Sequence, residues 1–146
     1  MAANPPEEWL LQVDGASRGN PGEAGCGAVI FDDAGQVVRE LCRYLGRATN
    51  NVAEYQGLLM GLDEVLRLGV KRLRVESDSE LMVRQLNGVY RVKHEKLIPL
   101  FQNATALLRR LDACHIIHVR REHNRVADEL ANRALDESHQ KGFKVS

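Results

Sequence analysis

The stretch from Thr49 to Gly69, TNNVAEYQGLLMGLDEVLRLG, separates two different patterns in this chain. Within it, apolar side chains recur at helical spacing from Tyr55 to Leu66, and Gly69 supplies a stop signal, so a helix is predicted. Before it, β-forming runs at about 9–13, 25–32 and 36–45 are separated by glycine-containing turns. The first third of the chain is therefore predicted to be an antiparallel meander that leads into a helix.

The pattern after this helix alternates between short strands and helices. It predicts a strand at 73–75, helices at about 77–87 and 97–111, a strand at 116–119 and a last helix at about 124–138. The order βββαβααβα is typical of an α/β fold with a mixed sheet covered by helices. We expect residues 1–7 to form a flexible leader, 8–138 a single domain and 139–146 a C-terminal tail.

Composition limits the classes of protein to which the chain can belong. A length of 146 residues and 44% hydrophobic content suit one domain with one core. Lysine plus arginine and aspartate plus glutamate both number 20, so binding to nucleic acid must depend on local patches. The three cysteines lack CxxC spacing, there is no secretory signal, and no apolar run approaches the roughly 20 residues of a membrane span. We expect a soluble, cytoplasmic protein.

Four acidic residues lie at predicted junctions between strands and helices: Asp14, Glu54, Asp78 and Asp128. Each has an ordinary alternative explanation. Asp14 could belong to a glycine-rich turn, and Glu54 could complete a capping box with Asn51. Asp78 and Asp128 could be carboxylates favoured by the dipole at a helix start. Taken singly, none of the four indicates a site.

Their combination favours a metal site. Junctions of this kind gather at one edge of an α/β sheet, so the four carboxylates are expected to converge. Clustered carboxylates repel one another unless a hard cation such as Mg²⁺ or Mn²⁺ lies between them. Such ions leave positions open to water and phosphate, so a phosphodiester is the expected substrate.

Four sequence blocks carry a resemblance to a known family. They are Asp14-Gly-Ala-Ser with Gly19-Asn-Pro-Gly22, Thr49-Asn-Asn-Val-Ala-Glu54, Glu76-Ser-Asp78-Ser, and Asn124-Arg-Val-Ala-Asp-Glu-Leu-Ala131. In this order, across residues 9–137, they resemble the signature blocks of type 1 ribonuclease H. The resemblance implies a ribonuclease H-like fold, with a five-stranded mixed sheet whose first three strands are antiparallel and about four flanking helices.

The resemblance also implies a reaction. It is the hydrolysis of the RNA strand of RNA–DNA hybrids by a monomeric endoribonuclease, which leaves 5′-phosphate and 3′-hydroxyl ends. Two Mg²⁺ ions, with Mn²⁺ as a substitute, would be held by Asp14, Glu54, Asp78 and Asp128. The two alternatives are another nuclease of the same fold, such as a junction resolvase or integrase core, and a non-catalytic module that binds hybrids.

Residues that match the family's substrate contacts would read 2′-hydroxyl groups in the minor groove and hold phosphates. The predicted substrate-binding residues are Gly15, Ser17, Arg18, Asn20, Asn50, Asn51, Ser79, Arg91, Lys93, Arg121 and Asn124. His123 is a candidate for an auxiliary role only, because the loop before the last helix is shorter than in many relatives.

The chain departs from the better-known bacterial members between residues 88 and 96. This stretch is too short to hold the basic protrusion with which those enzymes grip the hybrid. The chain therefore resembles the compact members found in archaea and some bacteria. For this subgroup, double-stranded RNA is a second expected substrate.

Overall fold

The computed structural model describes the backbone of residues 7–145 and the side chains of residues 7–138. The strands are β1 (Glu8–Gly19), β2 (Gly22–Phe31), β3 (Val37–Ala48), β4 (Arg72–Ser77) and β5 (Ala113–His118). The helices are α1 (Asn50–Arg67), α2 (Glu80–Leu86), α3 (Leu97–Leu108) and α4 (Arg125–Val145). The predicted order of elements is confirmed. The expected N-terminal leader lies outside the described residues except for Glu7.

The strands form one sheet in the order β3-β2-β1-β4-β5. β1 pairs with β2, and β2 with β3, in antiparallel fashion, whereas β1 with β4 and β4 with β5 are parallel. This confirms the predicted five-stranded mixed sheet with three antiparallel strands at its start. The central strand β1 therefore has an antiparallel neighbour on one side and a parallel neighbour on the other.

The two faces of the sheet are covered by different helices. Leu11 and Val13 of β1 point into the main core with Leu58 and Leu62 of α1. Cys26 and Ala28 of β2 also point into this core, so the alternating residues Gly25 and Gly27 face the opposite side, where Gly27 lies against Leu130 of α4. The sheet is thus a layer between α1 on one face and α4 on the other.

Two element boundaries differ most from the predictions, while the others shift by about three residues or fewer. The first strand was expected to stop near Asp14, but β1 continues to Gly19 because its pairing with β2 extends to the pair Gly19 and Gly22. The last helix was expected to end at about Ser138, but the backbone of α4 remains helical to Val145, across most of the expected tail. A 3₁₀ turn, Arg121–His123, precedes α4. Among the described helices, none has the length and apolar content needed to cross a membrane.

Candidate metal centre

Asp14 and Asp78 are brought together by the register of two parallel strands. Val13 of β1 lies opposite Ser77, the last residue of β4. The residue after Val13 and the residue after Ser77 are both aspartates. Asp14 and Asp78 therefore lie side by side at the point where the pairing of β1 with β4 ends. Asp14 is only 4% exposed, whereas Asp78 is partly exposed. Asp14 thus lies within a long strand rather than in the turn that the sequence had offered as an alternative.

The turn that carries Asp78 is held by serines. The hydroxyl of Ser77 accepts a hydrogen bond from the Ser79 amide at 3.0 Å, and the hydroxyl of Ser79 accepts one from the Met82 amide at 3.2 Å. Ser79 is therefore the N-cap of α2. Because the serines satisfy these amides, the carboxylate of Asp78 is left to line the neighbouring cavity.

Glu54 reaches the same cavity from α1. The N-cap of α1 is Thr49, whose hydroxyl accepts from the Val52 amide at 3.2 Å. Glu54 instead accepts a hydrogen bond at 3.2 Å from the amide of Gly15, which lies on β1. The capping-box explanation with Asn51 is therefore wrong, because the cap lies two residues earlier and the carboxylate bonds across the fold.

Close backbone approach makes this contact between β1 and α1 possible. A Cβ atom at Gly15 would lie 2.3 Å from the backbone carbon of Ala53 and the backbone nitrogen of Glu54. Only glycine fits such a separation, so Gly15 is needed to hold the helix that carries Glu54 against the strand that carries Asp14.

Asp128 is placed by the packing of α4 on β2. A Cβ atom at Gly27 would lie 2.5 Å from the carbonyl oxygen of Ala127, so helix and strand touch through their backbones. Gly27 is the register partner of Asp14. The residue after Ala127 is Asp128, which lines the same cavity as Asp14.

Asn124 anchors the start of α4. Its side-chain amide donates to the carbonyl oxygen of Val13 at 2.9 Å, and the residue is fully buried. The prediction that Asn124 contacts substrate is therefore wrong, because a fully buried side chain cannot reach a bound nucleic acid. Its role is structural, since it ties the helix bearing Asp128 to the strand bearing Asp14.

The electrostatics of the cluster favour a bound cation. Ligand oxygens of Asp14, Glu54 and Asp78 lie within 4.8 Å of one another. Burial, together with the charges of Asp78 and Asp128, raises the pKa of Asp14 to about 8. Burial and the charges of Asp14 and Asp78 also hold the pKa of Glu54 well above its ordinary value. A divalent cation would reverse this repulsion, and an all-oxygen donor set suits Mg²⁺ or Mn²⁺.

The cavity around the cluster has a volume of about 450 Å³. It brings together the four carboxylates with five of the predicted substrate-binding residues: Gly15, Ser17, Arg18, Asn50 and Arg121. Arg121 lies 3.7 Å from Asp128, and Arg18 lies 2.6 Å from Asp136 of α4. Both arginines are largely exposed, so they leave most of the buried negative charge uncompensated.

The remaining predicted residues lie outside the cavity lining: Asn20, Asn51, Ser79, Arg91, Lys93 and His123. Asn20 is next to it, because its side-chain oxygen accepts from the Asn50 amide at 3.2 Å. His123 is exposed, and its carbonyl oxygen accepts from Gln12 at 3.1 Å. Substrate contact by these residues remains a prediction.

Two lining residues were missed in the sequence, Ala16 and Asn132. The side-chain amide of Asn132 donates to the backbone oxygen of Asp128 at 3.0 Å and lies 3.4 Å from its carboxylate. Its spacing of four residues from Asp128 on a predicted helix was a usable signal, because such residues share one helix face. Ala16 offered no chemical signal.

Comparison with known proteins agrees with this geometry. Residues 12–134 match the family described as reverse transcriptase-like. The chain is similar to the bifunctional protein Rv2228c of Mycobacterium tuberculosis, with 45% identity over 128 residues, which cover 87% of this chain and 35% of that protein. It is also similar to ribonuclease HI of Halobacterium salinarum, with 41% identity over 125 residues, which cover 86% of this chain and 63% of that protein.

The structure is similar to that of LC11-RNase H1 in complex with an RNA/DNA hybrid, with a TM-score of 0.85 and 38% identity. That match covers 89% of this chain and 98% of the other. The chain spans less than two thirds of the length of either relative named above. The ordered sequence blocks, the sheet topology, the acidic cluster and these similarities together show that the chain belongs to the type 1 ribonuclease H family.

Proposed function

We propose that this protein is a metal-dependent endoribonuclease that hydrolyses the RNA strand of RNA–DNA hybrids. The observation that carries the proposal is the convergence of four carboxylates from β1, α1, the β4–α2 turn and α4 in one cavity. Membership of the ribonuclease H family supports the reaction class, and the hybrid bound to LC11-RNase H1 supports the substrate class.

Asp14, Glu54, Asp78 and Asp128 would hold two Mg²⁺ ions, with Mn²⁺ as a substitute. When bound, such ions supply an activated water for attack at phosphorus and stabilise the leaving 3′ oxygen, which yields 5′-phosphate and 3′-hydroxyl ends. The amide of Gly15 donates to the carboxylates of both Asp14 and Glu54, at 2.9 and 3.2 Å, and so orients these two residues towards each other.

Groups at the rim of the cavity suit the sugar and phosphates of the RNA strand. The hydroxyl of Ser17 can donate to the carbonyl oxygen of Gly19 or to that of Ala48, which lies at 2.9 Å. A hydroxyl donates one hydrogen and has two lone pairs, so it can also accept from a 2′-hydroxyl. Asn50 is exposed beside it, and the exposed arginines Arg18 and Arg121 can contact phosphate oxygens. Contacts of this kind select by sugar and shape rather than by base sequence.

A second contact surface is proposed on the loop between α2 and α3, in place of the missing protrusion. Arg91 and Lys93 are exposed there, and Arg84 lies over the ring of the exposed Tyr90 at 5.4 Å. These groups could bind the backbone phosphates of a duplex that extends from the acidic cavity. Double-stranded RNA is included as a second substrate, because a short loop imposes fewer contacts on the other strand.

We propose that the protein acts as a monomer, since all four carboxylates come from one chain, and that it works in the cytoplasm. The cysteine pattern described above suits a reducing compartment. His123 is retained as an auxiliary candidate outside the cavity lining.

The test is an incubation of the protein and Mg²⁺ or Mn²⁺ with end-labelled RNA–DNA hybrid, double-stranded RNA, double-stranded DNA and a four-way junction. We expect cleavage of the RNA strand of the hybrid, with weaker cleavage of double-stranded RNA and none of the DNA substrates. Preferential cutting of DNA would assign the chain to another nuclease class. Binding of the hybrid without cleavage would make it a non-catalytic binding module.

A further inference from the structure

Tyr55 and Gln85 form a hydrogen bond in the interior, between α1 and α2. The tyrosine hydroxyl donates to the side-chain oxygen of Gln85 at 2.7 Å, and the two residues are 1% and 5% exposed. Burying a polar pair costs desolvation, whereas apolar side chains of similar shape could fill the same space without that cost. The pair therefore requires an explanation other than core volume.

The two partners lie on α1, which carries Glu54, and on α2, which begins just after Asp78. Tyr55 directly follows Glu54 in α1, and Gln85 lies in the last turn of α2, whose N-cap Ser79 directly follows Asp78. The hydrogen bond thus joins the helix that carries Glu54 to the helix that begins at Asp78. Neither Tyr55 nor Gln85 lines the acidic cavity, so neither is placed to touch a metal ion or a substrate.

Helix α2 depends on its surroundings for its position. It has only seven residues, and a helix of that length is not stable in isolation. Its amino end is fixed by the hydrogen bonds of Ser77 and Ser79, and its buried side chains are Met82, Val83 and Gln85. Two hydrogen bonds hold the far end of α2: one joins Gln85 to Tyr55 of α1, and the other runs from the C-cap Asn87 to the carbonyl oxygen of Ile116 in β5 at 3.0 Å. Of these two, the bond to Tyr55 is the one that reaches the helix carrying Glu54.

We infer that Tyr55 and Gln85 are positioning residues, whose hydrogen bond holds Asp78 at the distance from Glu54 that a divalent metal requires. Without it, α2 is no longer held to α1, and the turn bearing Asp78, which is continuous with α2, shifts relative to Glu54. The inference rests on the proposed metal site. It adds that a hydrogen bond between two residues that are not metal ligands, Tyr55 and Gln85, positions two of the ligands.

The test uses Tyr55→Phe, which removes one oxygen atom and keeps the ring. The measurement is Mn²⁺ binding by isothermal titration calorimetry, at a temperature where the protein is fully folded by circular dichroism. We expect the dissociation constant for Mn²⁺ to rise about three- to tenfold. This loss of affinity is at or below the low end of the loss that is typical when a group hydrogen-bonded directly to a metal ligand is removed. The Mn²⁺ concentration for half-maximal cleavage should rise in parallel.

A double variant separates positioning from stability. In Tyr55→Phe with Gln85→Met, no acceptor is left unpaired, so the thermal midpoint should recover towards that of the unmodified protein. The hydrogen bond between α1 and α2 is still absent in this double variant, so its affinity for Mn²⁺ should stay low. Recovery of both properties would show that the bond serves stability alone and would overturn the inference.

Two controls complete the design. Tyr44→Phe removes the hydroxyl of an exposed tyrosine, which lies 3.4 Å from Glu23, and Ile30→Val weakens the buried core away from the acidic cavity. Both should bind Mn²⁺ like the unmodified protein. Unchanged affinity in Tyr55→Phe, with normal binding by the unmodified protein, would overturn the positioning role only. Failure of the unmodified protein to bind Mn²⁺ would overturn the metal site and this inference with it.

Discussion

Two cavities of similar size open at opposite ends of the parallel strands, and they differ in charge. The acidic cavity, with a volume of about 450 Å³, lies where β1 and β4 part. The other, of about 510 Å³, lies at the beginning of these strands and is lined by Trp9, Lys71, Arg72, Asp112 and neighbouring residues. Volume alone does not distinguish them.

The difference lies in charge compensation. At the far cavity, Glu7 and Asp112 are accompanied by Lys71 and Arg72, so acids and bases are equal in number. At the acidic cavity, four carboxylates face two arginines, and the most buried acid has a raised pKa. Buried charge that lacks a protein partner is costly and is retained where a ligand supplies the partner. Uncompensated charge therefore distinguishes the end of the sheet that carries the candidate site from the opposite end.

The largest effect is expected when one acid in each cavity is neutralised. Asp78→Asn should lower cleavage of the hybrid by at least about a thousandfold, because a metal-supporting carboxylate is lost, while hybrid binding is largely retained. Asp112→Asn at the far cavity is the matched control and should cleave at the unmodified rate. The measurements are single-turnover cleavage and gel-shift binding. Near-normal cleavage by Asp78→Asn would remove that residue from the site.

A second pair of variants compares a glycine from each cavity. Gly15→Ala should lower the free energy of unfolding by about 2–4 kcal/mol, because the new methyl group would overlap the backbone of α1. Gly69→Ala at the far cavity meets no atom within 4 Å, but its φ of +80° disfavours alanine, so a loss of about 1 kcal/mol is expected. Urea unfolding measures both. Equal losses would mean that close approach of β1 and α1 is not a special requirement of the acidic end.

The third prediction concerns the dependence of the free energy of unfolding on pH and on bound metal. Asp14 has a pKa of about 8 in the fold, against an ordinary value of 3.8. Between these values the folded state holds a proton that the unfolded state has released, so stability falls as pH rises. In chelator, raising the pH from 5 to 8 should lower the free energy of unfolding by about 3–4 kcal/mol, and Mg²⁺ or Mn²⁺ should restore it at pH 8.

The matched variants for this measurement are Asp14→Asn and Asp112→Asn. The first should reduce the pH dependence in chelator, since it removes one of the two carboxylates whose pKa is raised, Glu54 being the other, and the second should leave the slope of the unmodified protein. Thermal unfolding across pH, with and without metal, gives the result. A slope left unchanged by Asp14→Asn would show that Asp14 does not cause the pH dependence.

Much of the fold was predictable because its signals are local. Helical periodicity from Tyr55 to Leu66 and the short apolar runs before it gave the order of the elements, which the structure confirms. The boundaries were less predictable. β1 runs past Asp14 because β2 offers a pairing partner as far as Gly22, and that partner is a separate strand of the sheet.

The candidate site was predictable in its acids and less so in its polar surroundings. The sequence indicated all four carboxylates, but it could not separate Asn50, which lines the cavity, from Asn124, which is buried and bonded to Val13. It also offered a capping box of Asn51 with Glu54, whereas the N-cap in the structure is Thr49 and Glu54 bonds to Gly15. Such choices depend on which backbone groups lie nearby, and sequence spacing does not report distances between separate elements.

The sequence by itself determined the order of the elements, the acidic residues and the family, because periodicity and ordered motifs are properties of neighbouring residues. Only the tertiary structure decided how those acids meet. The register of Val13 with Ser77, the glycine contacts at Gly15 and Gly27, and the anchor from Asn124 bring residues far apart in the chain to one cavity. The physical reason is that carboxylates gather against their own repulsion only where packing and hydrogen bonds elsewhere in the fold hold them there.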